Sequence, residues 1–178
     1  MEAILILPAP GKISFRFCSV SDTLLKLRME NLFAYGSLMC DDIMSQVSGF
    51  RVPSLHGTLK GYRRLSIKDE YYPAIIPDDQ SGVEGVVYMN LPPVAWQRLD
   101  KYEGGMYTCS LVRIELDGGE ISAAATYVLR PEFRDKLDHS CWSFSDFLKN
   151  KENFEKKHRS DLTAIGINGE TNVSPGGT

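Results

Sequence analysis

The chain has 178 residues, 43% of them hydrophobic and 24% charged, with a formal net charge of −3. That length suits a single domain able to bury roughly 70% of the surface its unfolded chain exposes, so neither a disulfide nor a metal staple is required. The balanced charge excludes the clustered basic face that nucleic-acid binding demands, and no apolar run reaches the ~20 residues of a membrane span.

In chain order, residues 1–28 read poorly as part of a domain. Met-Glu opens an "AILIL" run that breaks at Pro8 and Pro10, without the basic flank and longer apolar core of a secretory signal. We therefore expect a cytoplasmic protein with no membrane partner, residues 1–28 forming an N-terminal extension and residues 29–159 the folded domain. From 160 to 178 the chain turns to Gly, Asn, Thr and Ser, a composition that buries too little apolar surface to offset ordering entropy, and a flexible tail is expected.

Within the domain, residues 31–35 predict a strand and 39–48 a short helix, joined directly at Gly36-Ser37. "LHGTLKGYRRLSI" (55–67) predicts a strand with a bend or bulge at Gly61. "PAIIP" (73–77) and the alternating "GVEGVVYMN" (82–90) predict two further strands. Asn90 or Leu91 would cap a helix whose first turn tolerates Pro92-Pro93, with Ala95, Leu99 and Tyr102 on one buried face and Gly104-Gly105 as its stop. Residues 106–116 and 120–129 predict a hairpin about the turn at 117–119. Ser143, three before Asp146, predicts the N-cap of a closing helix, and the bases of 149–159, interleaved with Glu152 and Glu155, predict its solvated face. Strands outnumber helices and the hairpin is antiparallel, so the expected class is α+β, with a small, curved, barrel-like mixed sheet and flanking helices.

Few residues offer chemistry. The four cysteines (Cys18, Cys40, Cys109, Cys141) are scattered, with no CxxC pair and no histidine at metal spacing, so reduced thiols and no metal site are expected. Cys40 with His56 has no supporting spacing, and His139 and His158 sit in polar segments that predict solvent exposure. The glycines build no phosphate loop with its lysine. Two features remain. A strand that stops at Gly36-Ser37 and enters a helix exposes the backbone N–H groups of residues 37–39, a cradle for a carboxylate or an oxyanion; taken alone, the stretch reads more simply as a plain tight turn. Glu103 ends a helix, where the macrodipole disfavours a carboxylate, and partial burial beside Tyr102 and Tyr107 would raise its pKa toward that of a general base. Taken alone, it also fits an exposed glutamate before a glycine turn, with Asp100 as the competing acid.

Together, "FAYGSL" (33–38), "GVVYMN" (85–90) and "LDKYEGGMY" (99–107), followed by a "TYV" strand, resemble the gamma-glutamylcyclotransferase-like superfamily, which includes the AIG2-like proteins and the gamma-glutamylamine cyclotransferases. The similarity spans about residues 31–150. It implies the barrel-like α+β fold and a reaction in which the α-amine of a γ-glutamyl amine, amino acid or peptide attacks its own γ-carbonyl, releasing 5-oxoproline and an amine. It also implies that Tyr35, Gly36, Ser37 and Leu38 hold the glutamyl moiety, that Glu103 is the general base, and that Tyr107 and Tyr127 help line the cavity. Substrate selection would fall to the loops at 66–81 and 130–142. The reaction needs no metal or cofactor, and its only implied partner is the small γ-glutamyl substrate. Two other classes stand against an enzyme of this kind: a non-catalytic small-molecule binding or interaction module on the same scaffold, and a cysteine hydrolase using Cys40.

Overall fold

The computed structural model describes residues 30–159; both the 1–28 extension and the 160–178 tail lie outside the described residues. Five strands close into a barrel: β1 (Leu32–Ala34), β2 (Ser54–Ser66), β3 (Pro73–Tyr88), β4 (Tyr107–Leu116) and β5 (Ile121–Leu129). Their order around the barrel is β1-β3-β2-β4-β5. The pairings are antiparallel except that of β1 with β5, which is parallel through Leu32 and Ala125, so the sheet is mixed. Closure removes the free sheet edge.

Alternation along the strands builds two cores from the same backbone. Phe33, Ile75, Val87, Ile114 and Val128 fill the barrel interior. Their neighbours Leu32, Ala74, Tyr88, Tyr127 and Leu129 belong to an outer core under the helices. The helices α1 (Asp41–Ser48) and α2 (Pro93–Glu103) cover that outer face with Ile43, Met44, Val47, Ala95, Trp96 and Leu99. Two short helices, α3 (Phe144–Lys149) and α4 (Lys151–Lys157), complete the layer with Phe147 and Phe154.

Three expectations are corrected. Residues 73–77 and 82–90 are not two strands but one, β3, running opposite β2 from Pro73 to Tyr88. The polar break between them is real. Asp78–Ser81 bulges opposite Gly61, whose φ is +81°, and Asp78 accepts hydrogen bonds from Gln80 N–H and the Ser81 hydroxyl. A local Asx-type turn thus interrupts the pairing without ending the strand. The closing helix is likewise broken in two at Asn150, with Ser143 capping α3 by accepting from Asp146 N–H. Finally, β1 does not pass straight into an α-helix. A single 3-10 turn, Ser37–Met39, intervenes, and α1 starts only at Asp41 with Cys40 as its N-cap. Asp41 and Asp42 lie in that first turn, where acids favour the helix N-terminus.

Candidate active site

The end of β1 is pinned from several sides. The Arg64 guanidinium donates to the Tyr35 carbonyl at 2.8 Å, and the Tyr88 hydroxyl donates to the Leu38 carbonyl at 2.8 Å. The Tyr35 hydroxyl donates to the Tyr127 carbonyl at 2.6 Å, tying β1 to β5. Gly36 lies against the ring of Pro73, and a Cβ there would come within 2.9 Å of Pro73 Cδ. A side chain there would have to push the Pro73 ring aside. The 3-10 turn then closes with Met39 N–H donating to Gly36 O and Cys40 N–H to Ser37 O, at 2.9 and 3.1 Å. The N–H groups of Ser37 and Leu38 precede those bonds, so the turn itself gives them no acceptor. Because α1 starts later, these amides belong to the turn, and the α1 dipole is not what surrounds them.

Glu103 is the last residue of α2. Gly104 follows with φ of +66°, a value that side-chain-bearing residues rarely adopt, and its N–H caps the helix by donating to Asp100 O. This sharp exit aims the chain into β4. The Glu103 side chain is half-buried and faces the same cavity as the β1 loop. Burial, with the Asp100 carboxylate as a second contribution, pushes its pKa up to about 8. Asp100 itself accepts from the Tyr127 hydroxyl at 2.8 Å, so the competing acid is a hydrogen-bond acceptor beside the site. Tyr102 and Ser37 share a 2.8 Å hydrogen bond between their hydroxyls, and this joins α2 to the loop.

All seven residues singled out in the sequence line one cavity of about 290 Å³: Tyr35, Gly36, Ser37, Leu38, Glu103, Tyr107 and Tyr127. They come from four separate elements. The phenols are held un-ionised: burial drives the pKa values of Tyr35, Tyr107 and Tyr127 well above the usual tyrosine range, with the nearby carboxylate Glu103 adding to it. Tyr107 donates to the Pro73 carbonyl at 3.1 Å, so it braces the segment that Gly36 packs against.

Sequence reasoning missed part of the wall. Tyr72, Met106, Phe154 and His158 also line the cavity. His158 was expected in solvent, yet its side chain is only 16% exposed, with its ring 4.8 Å from that of Phe154. Polar neighbours in the sequence hid a histidine that faces inward across a helix end. Of the two loops expected to select substrate, 66–81 contributes Tyr72 and Pro73, whereas no residue of 130–142 lines the cavity. Cys40 is buried outside it, with its thiol pushed up to about 11 by burial, so it is not a thiolate nucleophile. Among the described residues no cluster of three or more His, Cys, Asp or Glu could hold a metal ion, and no helix is long and apolar enough to cross a membrane.

The model of the family described as gamma-glutamyl cyclotransferase, AIG2-like, matches residues 32–144. The chain belongs to that family. Both the loop after β1 and Glu103 fall within the match. Among curated relatives, AIG2-like protein D of Arabidopsis thaliana is 32% identical over 122 residues, covering 67% of this chain and 79% of the relative. AIG2-like protein B of the same plant is 27% identical over 154 residues, covering 78% and 89%. A solved gamma-glutamyl cyclotransferase superposes with a TM-score of 0.56 at 17% identity, over 81% of this chain and 92% of the other, which is a likeness of fold. The family's barrel and flanking helices are therefore the architecture found here.

Proposed function

We propose that the protein is a γ-glutamyl cyclotransferase acting on a small γ-glutamyl amine, amino acid or peptide. Glu103 takes a proton from the substrate's α-ammonium, which frees the nitrogen lone pair. That nitrogen attacks the γ-carbonyl and forms the five-membered ring. The negative charge that builds on the carbonyl oxygen, and the rest of the glutamyl moiety, are held by the N–H groups of the β1 loop. Glu103 returns the proton to the departing nitrogen, the γ-carbon–nitrogen bond breaks, the ring nitrogen gives its remaining extra proton to the released amine, and 5-oxoproline and an ammonium leave. Both reacting groups are in one molecule, so holding it folded supplies much of the rate.

The observation that carries this proposal is that a half-buried carboxylate of raised pKa lines one cavity together with Ser37 and Leu38, whose N–H groups the 3-10 turn leaves without an acceptor. A base near pKa 8 matches the basicity of an amine, so the proton can pass both ways. The test is a panel of γ-glutamyl amino acids, γ-glutamyl amines and glutathione, scored for 5-oxoproline with wild type and Glu103→Gln. Wild type should form it and the variant should not, with an unchanged circular dichroism spectrum. Equal turnover by the two would defeat the role of Glu103. No turnover of any compound would leave the scaffold as a binding module.

A further inference from the structure

The cavity has a floor and a mouth. Leu32, Phe33 and Tyr35 are 1–6% exposed and form the floor on the barrel side. Tyr72, Met106 and His158 are more exposed and form the mouth, joined by the exposed Lys101. Phe154 stands behind His158 as a buried ring. This part of the wall is firmly built. The His158 ring meets Tyr72 edge-on at 5.6 Å and Phe154 at 4.8 Å. Its Nε2 lies 3.3 Å from Glu70 Oε2, which Lys157 Nζ also contacts at 2.8 Å while donating to the Asp69 carbonyl. At its other end α4 is tied to α1 by the ion pair of Lys151 with Asp42. The helix is thus held at one end by α1 and at the other by the segment that leads into Tyr72.

Phe154 and His158 lie beyond residue 144, where the family match stops, whereas Glu103 and the β1 loop lie inside it. The cavity thus joins residues inside the family match to residues of α4 beyond its end. A γ-glutamyl group held by the loop and by Glu103 directs its amide substituent toward the mouth, because the floor is sealed by packed side chains. What it meets there is largely aromatic rings, a thioether and an imidazole face.

We infer, resting on the cyclotransferase proposal above, that α4 and His158 form the subsite for the released amine, and that this amine carries an aromatic or bulky apolar group. Tyr72 and Phe154 supply ring contacts for it, and Met106 adapts to its shape. Glu70 holds Lys157, the residue before His158, and its carboxylate lies beside the His158 ring.

The experiment compares γ-glutamylphenylalanine with γ-glutamylglycine, scoring kcat/KM for 5-oxoproline formation by wild type, Phe154→Leu and His158→Ala. Wild type should favour the phenylalanine compound by about tenfold, the scale of partly burying a phenyl group. In both variants that preference should fall below about threefold, mainly through KM. Phe154→Leu keeps most of the core volume, and His158→Ala touches only the mouth, so one of them tests the wall even if the other folds poorly. A wild type that favours the glycine compound, or variants that keep the full preference, overturns the inference. If neither compound yields 5-oxoproline, the cyclotransferase proposal falls by itself. Calorimetric titration of the same two compounds then decides the subsite. Tighter binding of the phenylalanine compound, weakened in Phe154→Leu, supports it, and equal binding overturns it.

Discussion

The inner and outer faces of the barrel strands share one backbone and differ in every other respect. Toward the interior, β4 and β5 send Val112, Ile114, Ala124 and Val128 into a core of apolar side chains. From the same strands Tyr107 and Tyr127 point outward, where they brace a cavity through hydrogen bonds and flank a carboxylate. The interior gains stability from close packing and tolerates no gap. The outer face keeps a cavity open beside an ionisable group, which costs stability and, in the proposed reaction, supplies the chemistry. On β4 and β5 alternation by one residue separates the two tasks, while Phe33 and Tyr35 of the interior cluster also form the cavity floor.

That division can be broken from either side. The largest effect on chemistry should come from Glu103→Gln, which removes the proton carrier and keeps the shape; we expect kcat/KM to fall about 10²–10⁴-fold in a 5-oxoproline assay. The largest effect on stability should come from the interior. Ile114→Ala deletes a fully buried side chain and should cost about 2–5 kcal/mol in denaturant unfolding, while KM of the folded fraction stays the same. If Ile114→Ala instead changed KM strongly, the two faces would not be independent.

Gly36→Ala probes the seam between them. Its Cβ would press on Pro73, so the loop amides must shift; a loss of about tenfold in kcat/KM is expected with only about 1 kcal/mol of stability.

A pH series sharpens the comparison further. Because Glu103 has a folded pKa of about 8 against an ordinary 4.5, the folded state holds that proton more tightly than the unfolded chain. Its contribution is fully present below pH 4.5 and is lost as the pH rises through 8, so stability declines over that window. Glu103→Gln should remove that part of the decline, seen as a flatter midpoint–pH curve. The rising limb of wild-type kcat/KM should be centred near 8, and Asp100→Asn should move it downward, since the Asp100 charge is one of the two causes of the raised value. The smallest effect belongs to the exposed Lys60–Glu115 pair across β2 and β4. Lys60→Ala should change stability by less than about 1 kcal/mol in the same unfolding assay.

Much of this was legible in the sequence. Period-two alternation and Gly/Pro punctuation indicated the strands, the bulge at Gly61 and the turn at 117–119, because those signals are local. Break points within long elements were not legible. The Asp78–Ser81 segment has turn chemistry, yet the unbroken β2 opposite holds it in one strand, and β1 is too short for its composition to reveal the 3-10 turn that follows. At the site, "FAYGSL" and "LDKYEGGMY" carried enough pattern to single out the loop, Glu103 and Tyr107. His158 carried none, because one histidine in a charged helix has the same local sequence whether it faces water or a cavity.

The sequence by itself determined the fold class, the candidate base and the loop opposite it, since helix ends, glycine stops and alternation are written in neighbouring residues. Only the tertiary structure decided that β1, α2, β4 and β5 bring those residues to one cavity, that Asp100 stands beside Glu103 and raises its pKa, and that α4 supplies the remaining wall. These depend on contacts between residues far apart in the chain, created when the barrel closes and the helices settle on its outer face.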